Sequence, residues 1–225
     1  MSVDTFNRFL ATTTGREKAC RLVQYFARFY AFYLFRSGAP KEAIQRWSDL
    51  KGHIGNARKF FRLFKQVEFA TTAVKSLSIQ DEVVRATSVL KQIGMFFYYG
   101  TEALVLANAV KFYKISNIKD IQRLGFKCWL FALTMSIITG IHKLRGLNVR
   151  AAMLNKNEKA PEADAKALVK EKKGLHKQLL QDVVDAIIPV AGLNIIGFDE
   201  GIVGLAGMTT SWLAVTSQWQ KVASK

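Results

Sequence analysis

The chain has 225 residues, half of them hydrophobic, and carries a formal net charge of +16 at pH 7. Soluble basic proteins that bind nucleic acid are seldom this apolar, whereas a chain both apolar and basic suits a membrane whose surface carries anionic lipid. Cys20 and Cys128 stand isolated, which argues against a disulfide scaffold, and His53, His142 and His176 have no metal-ligand spacing. With no phosphate loop and no nucleophile elbow, neither an enzyme nor a catalytic residue, metal or cofactor is expected.

Prolines occur only at Pro40, Pro161 and Pro189. The long stretches between them lack helix breakers, so the expected fold is all-α, a membrane-associated multi-helix bundle. Phe6, Phe9 and Leu10 form a short amphipathic stretch, and Gly15 precedes a helical run from Arg16. Seven of the eleven residues from Tyr25 to Phe35 are aromatic, a pattern that fits either a buried core face or an interfacial belt. Ser37-Gly38-Ala39-Pro40 is a turn followed by a helix start, with a short helix to about Leu50.

The segment from Ile54 to Leu77 reads as one amphipathic helix. At 100° per residue, Phe60, Phe61, Leu63, Phe64, Val67, Ala70 and Val74 share one side. Arg58, Arg62 and Lys65 lie opposite, and Lys59 sits at the boundary. Between Asp49 and Glu68 there are five Lys/Arg and no acid. A basic face backed by Phe and Leu describes a helix lying in the membrane interface, and Arg58 to Val67 are the expected membrane-binding residues. Full burial of a large apolar side chain is worth about 1.5–3 kcal/mol, and each basic residue near an anionic leaflet adds about 1 kcal/mol. Micromolar binding, about 8 kcal/mol, is within reach. Phenylalanine wedged into one leaflet expands that leaflet alone and favours positive curvature. The alternative is that the stripe packs on neighbouring helices.

Further along, Ser78 to Asp81 caps a helix that runs to about Tyr113. It carries Lys91, Glu102, Asn108 and Lys111 and makes a poor span. Asn117 with Asp120 starts the next helix. From Cys128 to Ile141 fourteen residues carry no charge; extension to Leu124–Leu144 gives about 31 Å, enough to cross the hydrocarbon core if Lys127 and Lys143 snorkel. Residues 143–182 are polar and basic, with a flexible linker passing into a helix expected over Lys156–Ala167. A second span is expected from about Gly201 to Trp219. Gly197, Gly201, Gly204 and Gly207 are expected to form a small-residue packing face of the kind found between membrane helices. The expected regions are thus 1–115 (amphipathic and membrane-interacting), 116–145 (central span), 146–182 (basic loop and helix) and 183–225 (glycine-rich hydrophobic part).

Several segments resemble one family in order along the chain. Gly15-Arg-Glu-Lys-Ala-Cys-Arg-Leu-Val-Gln-Tyr-Phe-Ala-Arg-Phe29 resembles the N-terminal signature of the peroxin-11 proteins, the peroxisomal membrane elongation factors, and the chain is most like a fungal member. Ala57 to Lys65 is similar to that family's membrane-inserting helix. Lys127 to Leu133 resembles its central hydrophobic segment, and Ile188-Pro189 with Gly201 to Gly207 its C-terminal one. The resemblance implies a peroxisomal membrane location, peroxisome proliferation, and elongation of the membrane before fission. It also implies self-association into a homo-oligomer, and partnership with a dynamin-like fission GTPase and a tail-anchored fission adaptor. A pore for small metabolites, lined by Glu102, Asn108 and the glycines, is the alternative. The expected surface partner is an anionic phospholipid membrane, and no nucleic acid.

Overall fold

The computed structural model describes residues 3–156 and 162–224, so part of the linker expected over Lys156–Ala167 lies outside the described residues. The described residues form eight helices and no strands: α1 Val3–Ala11, α2 Thr13–Arg36, α3 Lys41–Phe61, α4 Lys65–Ser76, α5 Glu82–Ala109, α6 Ile118–Lys156, α7 Glu162–Gly192 and α8 Glu200–Ala223.

Local chemistry sets the boundaries. Thr12, Asp81 and Asp199 cap α2, α5 and α8, each accepting from the backbone N–H three residues on, Gly15, Val84 and Ile202. Pro40 starts α3 after the turn at Gly38, whose φ of +73° suits a residue without a Cβ. Asp199 also decides where α8 begins: Gly197 falls in the preceding loop, so the expected glycine face starts at Gly201.

The helices close into a ring. α2 packs on α3 at one side and α8 at the other; α8 meets α7, α7 meets α6 and α6 meets α5. α3 touches α5 to complete the circuit, and α4 lies along α5. α1 folds over the α2–α8 seam, its Phe6 and Phe9 rings against Trp219.

The interior mixes an apolar core with buried polar groups, and large apolar side chains cover part of the exterior. Glu17, Arg21, Arg58, Ser136, Asp182 and Asp185 are buried, while Leu90, Ile93, Phe97, Leu104, Leu124, Phe131, Ile138, Ile141, Ile202, Leu205 and Trp212 are exposed. An apolar exterior with polar groups turned toward the interior is what hydrocarbon surroundings select. Of the described helices, α6 is the one long and apolar enough to cross a membrane by length and composition, over Ile118–Leu154. At about 1.5 Å per residue it is longer than the roughly 30 Å core and extends beyond it. The uncharged run Cys128–Ile141 and its extension to Leu124–Leu144 lie inside it. The expected second span in α8 does not reach the same apolarity, because Gly, Thr, Ser and Gln dilute its Ile, Val and Leu.

Candidate functional site

The expected amphipathic helix is two helices. α3 ends at Phe61, and Arg62 to Phe64 form tight turns in which the N–H groups of Arg62, Leu63 and Lys65 donate to carbonyls three residues back. Phe64 takes a left-handed conformation, φ +64°, and α4 begins at Lys65. A left-handed backbone at a residue with a Cβ is strained by about 1–2 kcal/mol. The bend lays α4 on α5, where Phe69 stacks on Tyr99 at 5.1 Å.

Phe60, Phe64 and Val67 lie on a different face from Arg58 and Arg62, and the arginines face inward. Arg58 is buried, and its Nε and Nη2 donate to Glu17 Oε1 at 2.9 and 2.7 Å. Its third donor goes to Gln24 Oε1. Arg62 Nη2 donates to Glu102 Oε1 at 2.8 Å, and its guanidinium lies over the Tyr99 ring. Glu102, considered above as a pore-lining group, is therefore an ion-pair partner. Lys59 is half-buried and donates to Asn56 Oδ1 at 3.2 Å. Lys65 makes only a loose pair with Glu68, 3.7 Å. Burial alone would raise the Glu17 carboxyl, but Lys18, Arg58 and Arg62 outweigh it and hold it well below the usual carboxylate range.

The opposite face is open. Phe60, Phe64 and Val67 are 54, 79 and 66 % exposed, and Val74 and Leu77 continue the exposed strip along α4. Phe61 and Leu63 are half-buried. In water such an exterior strip would be unfavourable; beside acyl chains it is not.

Inside the ring, Arg21 Nη2 donates to Asp185 Oδ1 at 2.6 Å and joins α2 to α7. Lys91 donates to Ser136, and Ser136 to Asp182, joining α5, α6 and α7. These long-range partners were outside the reach of sequence reasoning, since no local spacing pairs Arg21 with a residue 164 positions away. Between α2, α3, α5, α6 and α7 a cavity of about 410 Å³ remains, lined by the Arg21–Asp185, Arg58–Glu17 and Arg62–Glu102 pairs together with Tyr25, Tyr98, Tyr99 and Trp129.

The glycine face packs within the chain. A Cβ at Gly204 would stand 2.8 Å from the Phe29 backbone nitrogen, one at Gly201 would stand 2.5 Å from the Phe32 ring, and one at Gly207 would collide with Tyr25. α8 and α2 thus approach closely through Gly201, Gly204 and Gly207. Gly197, by contrast, has open space around it. The aromatic run of α2 is shared between environments: Tyr25 belongs to the apolar core with Ile188 and Val203, whereas Phe26, Tyr33 and Phe35 are exposed.

A family model, peroxisomal biogenesis factor 11, matches residues 3–219. The chain belongs to the peroxisomal biogenesis factor 11 family. It is 28 % identical to the peroxisomal biogenesis factor 11 of Schizosaccharomyces pombe, over 94 % of this chain and 92 % of that one. Against peroxisomal membrane protein PMP27 of Saccharomyces cerevisiae the identity is 28 %, over 97 % and 95 %, and against human peroxisomal membrane protein 11B it is 23 %, over 95 % of both. No solved structure matches. This family member is accordingly a membrane protein of peroxisomes, and its family is one of biogenesis factors. The match covers the whole helical ring, from α1 through most of α8.

Proposed function

We propose that this chain remodels and elongates the peroxisomal membrane by seating the outward face of the α3–α4 junction in one leaflet, and that this promotes proliferation and fission of the organelle. The observation that carries the reading is the exposure of Phe60, Phe64 and Val67 directly behind ion-paired Arg58 and Arg62. The arginines tie the junction to the bundle, and the rings project from a fixed base. Each ring fully withdrawn from water contributes about 1.5–3 kcal/mol, so a few of them hold the junction in the leaflet. Lys65 and exposed Lys75 supply charge for anionic headgroups. Many copies wedging the same leaflet bend it, which makes self-association part of the proposal. The dynamin-like GTPase and tail-anchored adaptor are proposed partners by resemblance alone.

The test uses the full chain on anionic liposomes, with Phe60→Glu and Phe64→Glu combined. Both rings are exposed, so the helical circular dichroism should be unchanged while tubulation is lost. A folded double variant that tubulates like the unsubstituted chain refutes the wedge.

A metabolite pore is a second reading, favoured by the ring of helices around a polar cavity. Bilayer conductance that persists in the Phe60→Glu and Phe64→Glu variant but changes with Glu102→Gln would support it; conductance indifferent to Glu102 would count against it.

A further inference from the structure

We infer that the cavity at the centre of the helical ring is a binding site for a phosphate group, carried either by a small soluble ester or by the headgroup of an anionic lipid. The inference is independent of the leaflet wedge, which uses the opposite face of α3. The cavity, about 410 Å³, falls in the size range of small-molecule sites. Its wall presents six basic side chains against three carboxylates.

The carboxylates are already committed. Asp185 holds Arg21, Glu17 holds Arg58, and Glu102 holds Arg62. Lys18 must share Glu17 with Arg58, and Lys59 reaches Asn56 and no carboxylate among the described residues. Arg28, the remaining cation of the wall, is held by Glu200 from outside it. Two lysines are thus left with incomplete compensation beside four guanidinium groups. Burial, assisted by the neighbouring arginines, holds both lysines below their ordinary pKa. An anion between them relieves that crowding, whereas a metal cation would add to it. Phosphate suits the site better than a halide because its several oxygens accept from lysine and guanidinium donors at once. Glu102 Oε2 is buried with no hydrogen-bond partner among the described residues. It repels a bare anion but accepts from a hydroxyl, so an ester that carries one satisfies both halves of the wall.

Trp129 lies on the cavity wall and can report binding. The full chain, with Trp47, Trp212 and Trp219 replaced by Phe, is placed in phosphatidylcholine nanodiscs and titrated with glycerol 3-phosphate. A second set of nanodiscs contains increasing phosphatidic acid. A saturable change in Trp129 emission is expected in at least one arm. Phosphorus NMR of the same probe with the unsubstituted chain checks the result without the tryptophan changes. Response to glycerol 3-phosphate assigns a soluble ester, and response to phosphatidic acid alone assigns a headgroup. Lys18→Gln with Lys59→Gln should weaken binding about tenfold or more, while Lys18→Arg with Lys59→Arg should restore it. No saturable response in either arm, or unchanged affinity in the folded glutamine variant, overturns the site.

Discussion

Replacing Arg58 by Met separates two pictures of this protein. Where Arg58 faces lipid headgroups, its loss weakens membrane binding and leaves folding intact. In the ring it is buried, with three donors spent on Glu17 and Gln24. Removing it leaves the Glu17 carboxylate with Lys18, 3.0 Å away, as its one ion-pair partner among the described residues, and with the more distant charge of Arg62. Breaking a buried ion pair by removing one partner is destabilising by about 3–5 kcal/mol. Lys18 remains as partial compensation, so the lower end, about 3 kcal/mol, is the better expectation. For a chain of this size that lowers Tm by roughly 10 °C. The measurement is thermal unfolding in a mild detergent, followed by helical circular dichroism. The double variant Glu17→Gln with Arg58→Met removes both charges and should recover more than half of the loss, since an uncharged pair leaves no isolated carboxylate. An Arg58→Met protein that melts like the unsubstituted chain but leaves anionic liposomes would show that the guanidinium points to headgroups, and the ion-pair account would be wrong.

Three further outcomes follow from the same contacts. Glu17 titrates well below its ordinary value when folded, so its contribution is complete above about pH 4.3 and is lost as the pH falls toward its folded pKa; a melting series should show this loss, and Glu17→Gln should flatten it. Gly204→Val should destabilise the α2–α8 contact by about 1–3 kcal/mol through overpacking against Phe29, while Gly197→Ala, with open space around it, should melt unchanged. Phe64→Gly relieves the left-handed strain at φ +64°, so it should raise stability by up to about 1 kcal/mol and at the same time reduce liposome binding.

Features set by local chemistry are readable in the sequence. Pro40 starts a helix, Asp81 stands at the start of another, the uncharged run after Cys128 lies within the one described helix able to span, and Gly201 to Gly207 is a close-packing face. Periodicity also separated Phe60 and Phe64 from Arg58 and Arg62. A wheel gives the separation of two faces but not which of them meets the rest of the chain. That is decided by Glu17 and Glu102, about forty positions away on other helices. The break at Phe64 was hidden for a related reason: no Gly or Pro marks it, and the packing of α4 on α5 imposes it. Gly197 misled because its spacing fits the stripe, whereas Asp199 three residues before Ile202 makes the cap that starts α8 later. The cavity had no sequence signature, since five separate helices contribute to its wall.

The contact between Phe9 and Trp219, ring centroids 5.8 Å apart, constrains how the chain is threaded through a bilayer. Two touching side chains share one depth. Where that depth lies outside the hydrocarbon core, the number of membrane passages between them is even, and a crossing by α6 would then need a second stretch between α1 and the last turns of α8 to return the chain.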